Sequence, residues 1–179
     1  MTTKILVKVK TEGCCPQQFK QGDWIDLCLA EDVNFKAPQA NKLHIRNKGK
    51  NNAEEVRTRD VDFHWYYAKL GIAMQLPDGY EAIVAPRSST FRKYGVLFAS
   101  SIGVIDNSYS GNNDEWYMPM LATRSVTVPK GTRIAQFRIQ LSQKATFWQK
   151  LRWFISSGVN LKQAETLSNK DRGGLGSTD

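Results

Sequence analysis

An all-β barrel or sandwich is the fold class this sequence predicts, and two observations predict it. The apolar segments are short and mostly alternate with polar residues, and Gly- and Pro-containing turn signals separate them. Length sets the scale: 179 residues, 41% of them hydrophobic and 23% charged, suffice for one domain with a real core and do not call for two.

The elements follow in order. Ile5, Val7 and Val9 share one face of a first strand, and Lys4, Lys8 and Lys10 share the other. Further strands read at Asp23 to Leu29, Leu70 to Met74, Glu81 to Ala85, Met118 to Leu121 and Arg133 to Leu141. Turns are marked by Pro77-Asp78-Gly79, Asp106-Asn107, Ser110-Gly111 and Pro129-Lys130-Gly131. Asn47 to Asn52 is polar and reads as a mobile loop, set in a solvated mixed-charge stretch with Arg46, Arg57 and Arg59 beside Glu54, Glu55 and Asp60. One segment has a helical period. Over Thr146 to Ile155, Phe147, Trp148, Leu151, Phe154 and Ile155 share a face, with Lys150 and Arg152 off it. Such a helix can lie on a membrane surface, but packing on its own barrel or on a neighbouring subunit is the simpler expectation. Asn169 to Asp179 is rich in Gly, Ser and charge and reads as a flexible tail, which divides the chain into 1–168 and 169–179.

Bulk properties narrow the partners. A net charge of +8 attracts polyanions in general, including a triphosphate, but the cations are dispersed and no specific nucleic-acid binding is expected. No apolar run approaches the ~20 residues of a membrane span, and the first ten residues carry no signal-peptide core. The three cysteines, Cys14, Cys15 and Cys28, form no CxxC spacing. A cytoplasmic protein without membrane association is expected.

Chemistry concentrates between Ala85 and Gly111. Arg87 offers a planar fork for phosphate oxygens, and Ser88 and Ser89 add hydroxyl donors. Asp106 ends an apolar run. It is either a turn former or a general base able to deprotonate water for attack on phosphorus. Tyr109 either stacks on a sugar face or packs in the hairpin. In the tail, Arg172 beside two glycines and a Ser-Thr pair can meet phosphate through side-chain and backbone donors.

Five ordered motifs join these residues: Asp26-Leu27 with Ala30; Pro86 to Ser89 continuing to Lys93-Tyr94-Gly95-Val96; Gly103 to Asp106 with Tyr109 and Gly111; Gly131 to Gln136; and Arg172 to Thr178. In this order they resemble the trimeric dUTP diphosphatases (dUTPases). The resemblance implies a distorted jelly-roll β-barrel, with three copies forming three shared active sites. It implies that Asp106 activates the water that attacks the α-phosphorus of dUTP, releasing dUMP and pyrophosphate. Arg87, Ser88, Ser89 and Gln136 would hold the phosphates, and Mg²⁺ would ride on the triphosphate, with Asp26 acting on it through water. Tyr109 would pack on the deoxyribose, while Ser100, Gly103 and Ile105 would lie along the uracil edge. The tail of another subunit, with Arg172, Leu175, Gly176, Ser177 and Thr178, would close the site.

Several positions depart from the family pattern. Ser100 replaces an Asn, Leu175 replaces a Phe, Ser108 and Ser110 flank Tyr109 in place of Asp and Arg, and Asp179 replaces a Gly. Two alternatives stay in view. Glu115 falls roughly where a dCTP deaminase, or a bifunctional deaminase and dUTPase, keeps its water-activating Glu. The helix-like segment and the polar loop would instead serve a nucleotide-dependent regulatory protein with a protein partner.

Overall fold

A computed structural model describes residues 2–48 and 54–173, and the side chains of all of these except 42, 44–48 and 54–58. In chain order the elements begin with β1 (Thr3–Val9), β2 (Gln17–Gln18), β3 (Ile25–Cys28), β4 (Val33–Phe35), β5 (Gln39–Lys48) and β6 (Glu54–Asp62). Next come β7 (Tyr66–Lys69), β8 (Ile72–Gln75), β9 (Tyr80–Pro86), α1 (Thr90–Tyr94), β10 (Val96–Phe98) and β11 (Gly103–Asp106). The chain continues with β12 (Tyr117–Ala122), β13 (Val126–Val128), β14 (Arg133–Leu141), α2 (Phe147–Phe154) and β15 (Val159–Gln163). The mainly-β class and the strands expected from alternation are present. Ile5 and Val7 point inward and are buried, while Lys4 is exposed.

Three sheets, with the β13-β4 pair, enclose the core. One runs β11-β9-β14-β3-β2, a second β10-β12-β7 and a third β15-β1-β8. Trp116 and Phe137 sit at the centre, both fully buried and edge-to-face at 5.3 Å between ring centroids. The turn signals act as expected. Tyr80 N–H donates to the Pro77 carbonyl around Gly79, whose φ of +83° suits a residue without Cβ.

Two expectations are corrected. Arg46 to Asp60 is not a loop on both sides: β5 and β6 pair antiparallel from Gln39↔Asp62 to Lys48↔Glu54, and Asn47 and Lys48 belong to β5. This two-stranded ribbon leaves Leu43 and Val61 about half exposed (47% and 49%), so its described apolar residues form no buried face to impose a readable alternation. The mobile-loop expectation for 49–52 lies outside the described residues.

The second correction concerns α2. Its sequence ends are as read, closed by a Thr146–Gln149 capping box. The expected apolar face does not pack on its own barrel, however: Phe147 (70%), Trp148 (73%) and Phe154 (86%) are exposed. Trp153 meets the barrel instead, 5.5 Å from the ring of Tyr80. The helix's own barrel half-covers Trp153 and Gln149, whose side chain lies against Gly79, and leaves the stripe exposed.

Candidate active site

Strand register places the candidate residues in two groups on the five-stranded sheet. In the first, Asp26 on β3 lies opposite Gln136 on β14, which lies opposite Ala85 on β9. The chain leaving β9 carries Arg87, whose N–H donates to the Ile134 carbonyl (3.1 Å). Arg87 Nε then lies 2.9 Å from Asp26 Oδ1, and Arg133 Nη1 lies 3.2 Å from Asp26 Oδ2. Gln136 Nε2 donates to the Pro86 carbonyl at 3.2 Å. Asp26 is buried, while the two arginines remain partly exposed (28% and 40%). Two guanidinium groups against one carboxylate leave a single positive charge in excess, with the forks fixed from behind. Ser88 is exposed beside them, and Ser89 precedes α1 without a side-chain cap bond.

Asp106 heads the second group. It ends β11 and pairs with Glu81 of β9. β11 does not form a hairpin with its sequence neighbours, since β10 and β12 pair with each other in another sheet. Asp106 Oδ1 accepts the Ser108 N–H at 2.9 Å and the Ser108 hydroxyl, and Oδ2 accepts Arg172 Nη1 at 2.8 Å. Partial burial alone would push its carboxyl upward. The two Ser108 donors and Arg172 outweigh that and hold it below the usual carboxylate range. Tyr109 donates its hydroxyl to the Glu115 carbonyl at 2.7 Å and packs partly buried against the core. Burial, then Tyr117 and nearby carboxylates, push its phenol up to about 12.

The two groups do not meet within one chain. Both face the same way from the sheet, but Asp106 is level with Glu81 and Gln136 with Ala85. Four residues along β9 span roughly 13 Å. Among the described residues, no three His, Cys, Asp or Glu side chains come together where they could hold a cation, and both Asp26 oxygens are engaged by arginine. A protein-held Mg²⁺ does not fit this arrangement.

Comparison with known proteins places the chain. A family model described as dUTPase matches residues 62–151. The SPbeta prophage-derived deoxyuridine 5'-triphosphate nucleotidohydrolase YosS of Bacillus subtilis is 40% identical over 161 residues, spanning 90% of this chain and 87% of that protein. The chain belongs to the dUTPase family. The deoxyuridine 5'-triphosphate nucleotidohydrolase of Hydrogenobaculum sp. is 38% identical over 118 residues, 65% of this chain and 72% of that one. Among solved structures, the dUTPase of Streptococcus mutans superposes with a TM-score of 0.57 at 20% identity, covering 75% of this chain and 91% of that one. The dUTPase of phage phi11 of S. aureus superposes at 0.56 and 15% identity, covering 93% and 99%. These likenesses show the fold.

Within the dUTPase family motifs, the remaining expected residues divide. Ser100 is exposed, at a turn where its carbonyl accepts the Ile102 N–H (2.7 Å) and Ser101 has a φ of +63°. Gly103 opens β11 against Met118, whose methyl would stand 2.9 Å from an added Cβ, and Ile105 packs on the core. Arg172 was expected from another subunit and here reaches Asp106 of its own chain. Leu175, Gly176, Ser177 and Thr178 lie outside the described residues. Sequence reasoning passed over Arg133 as a second partner of Asp26, Ser108 as a donor to Asp106, and Asp114, which is 1% exposed.

Proposed function

We propose that this chain hydrolyses dUTP to dUMP and pyrophosphate, with Asp106 as the base that deprotonates the attacking water. The observation that carries this is the pairing of a held carboxylate, Asp106 on Ser108 and Arg172, with a backed arginine fork, Arg87 on Asp26, on the same face of one sheet. A carboxylate below its usual range is ionised throughout the neutral range and ready to accept a proton. Arg87, Ser88, Ser89 and Gln136 bind the phosphates. Ser100, Gly103 and Ile105 lie along the base, and Tyr109 packs on the sugar. Leu175 to Thr178 complete the phosphate and base contacts, so that 1–168 forms the barrel and 169–179 the closing segment.

The offset of four residues between Asp106 and Gln136 supports a homotrimer in which the grip of one subunit faces the carboxylate of another. Mg²⁺ enters on the triphosphate oxygens, as its preference for substrate phosphates favours, and neutralises their charge. Asp26 orients Arg87 and reaches the metal only through water. Titration with Mg²⁺ alone is therefore expected to give no binding heat, and titration in the presence of a non-hydrolysable dUTP analogue a clear one.

Product analysis tests the reaction. Incubation with dUTP should yield equimolar dUMP and pyrophosphate, with dCTP, dTTP and UTP turned over far more slowly. Ammonia release from dCTP would instead favour the Glu115 reading. The acid limb of kcat/KM offers a second check. The folded pKa of Asp106 is depressed, so the ionised form is lost only as pH falls through that depressed value. Ser108→Ala removes the donors' hydroxyl half, so the limb should move to higher pH. A limb that stays in place would detach it from Asp106.

A further inference from the structure

We infer that Asp78 is a positioning residue for Asp106, and that α2 holds Asp78 in place through the turn Pro77 to Gly79. Asp78 acts on Asn107, the residue next to Asp106. This rests on the reading of Asp106 as the catalytic base.

Asp106 ends β11, so strand pairing fixes it from one side only. Its partner there is Glu81, the second residue of β9. Beyond Asp106 the chain turns, with the Tyr109 N–H donating to the Asp106 carbonyl at 3.1 Å. In that turn Asn107 Nδ2 donates to Asp78 Oδ1 at 3.0 Å. A charged acceptor makes such a bond roughly twice as strong as a neutral one. The turn that opens β9 thus holds the turn that closes β11.

The Pro77 to Gly79 turn is fixed in its own right, by the half-buried side of α2. Gln149 and Trp153 are four residues apart and so lie on one side of the helix. The capping box locks the Gln149 side chain, whose Oε1 accepts the Thr146 N–H at 2.7 Å. There it fills the space beside Gly79: a Cβ on Gly79 would stand 2.4 Å from Gln149 Oε1 and 2.5 Å from its Cδ. One helical turn on, Trp153 packs on Tyr80, the residue between Gly79 and Glu81. The chain leading into α2 adds a backbone tie, the Ser142 N–H donating to the Gly79 carbonyl at 2.9 Å. Helix, turn and Asn107 therefore form one unbroken series of contacts. The apolar stripe of α2 stays exposed, while its other side bears on the end of β11.

A double-mutant cycle and an NMR measurement on the full chain test the inference. Asp78→Ala removes the acceptor and should lower kcat for dUTP about tenfold, with KM and the Kd of a non-hydrolysable dUTP analogue unchanged within about twofold. Asp78 is exposed, so Tm should move by no more than about 2 °C. Asp78→Asn keeps an amide oxygen for Asn107 and should restore most of the lost kcat. Trp153→Ala should lower kcat by a similar factor, and its combination with Asp78→Ala should add nothing further. If Trp153→Ala does not fold, Gln149→Ala takes its place in the cycle. An Asn variant as slow as the Ala variant, or helix and Asp78 effects that multiply, overturns the inference. The NMR signals of the Asn107 side-chain amide, identified by their loss in Asn107→Ala, should move to the free-amide position in Asp78→Ala and part of the way in the helix variant. Signals that stay in place overturn the inference whatever the role of Asp106. Moved signals at the parent kcat would leave the contacts standing and count against Asp106 as the base.

Discussion

Asp106→Asn is expected to lower kcat for dUTP hydrolysis by roughly 10²–10⁴-fold, the span over which a positioned general base contributes. The replacement is close to isosteric. The amide oxygen can still accept the Ser108 N–H that now lies 2.9 Å from Oδ1, so the local turn should persist. What disappears is the negative charge and with it the proton acceptor. Removing a negative charge near a polyanion cannot weaken Coulombic attraction, so the Kd of a non-hydrolysable dUTP analogue should hold or fall. The variant therefore separates chemistry from binding. Turnover at the parent rate would remove Asp106 from the mechanism, and lost analogue binding would make its role structural.

Phe137→Ala is expected to have the largest effect on stability, about 3–5 kcal/mol. Phe137 is fully buried on β14, the strand that pairs with both β9 and β3, and its ring meets Trp116 edge-on at 5.3 Å. Truncation leaves a cavity between the strands that carry Gln136 and Asp26, and an aromatic contact is lost as well. For a domain of this size the change corresponds to ~10 °C or more in Tm, readable by calorimetry. A shift of only a degree or two would mean that the neighbouring strands collapse into the gap.

How much of this was legible in the sequence depended on whether a residue's neighbours were local. Ile5 and Val7 announced β1 because one face of that strand is buried and the other is wet. The β5–β6 ribbon gave no such sign, since both its described apolar ends, Leu43 and Val61, stand half in solvent. In the site, Arg87, Gln136 and Asp106 were recognisable as residue types in motif order. The partner of Asp26 was half legible: Arg133 stands in the fourth motif, but its ion pair depends on the register of β14 with β3.

Asp114 was hidden differently. In the polar run Gly111 to Asp114 it reads as a turn former. Yet it is in phase with Trp116, just before β12, and with Met118, Met120 and Ala122 in it, all buried. A carboxylate on the inward phase of the segment leading into a strand must find donors, and that phase was the available signal. Which donors it finds could not be read, because they come from a segment far along the chain.

The parallel pairing of β1 with β15 carries a kinetic consequence. Thr3 to Val7 align with Val159 to Gln163, so the third sheet joins the first and last strands. Contacts of such separation bear the largest loop-closure entropy and form late in folding. During synthesis β1 can pair with β8 on its other side, but its second edge must wait for Val159 to Gln163 to emerge. The tail follows directly after β15. Catalytic competence should therefore depend on contacts that form late in folding, as an abrupt event rather than one that grows with the barrel.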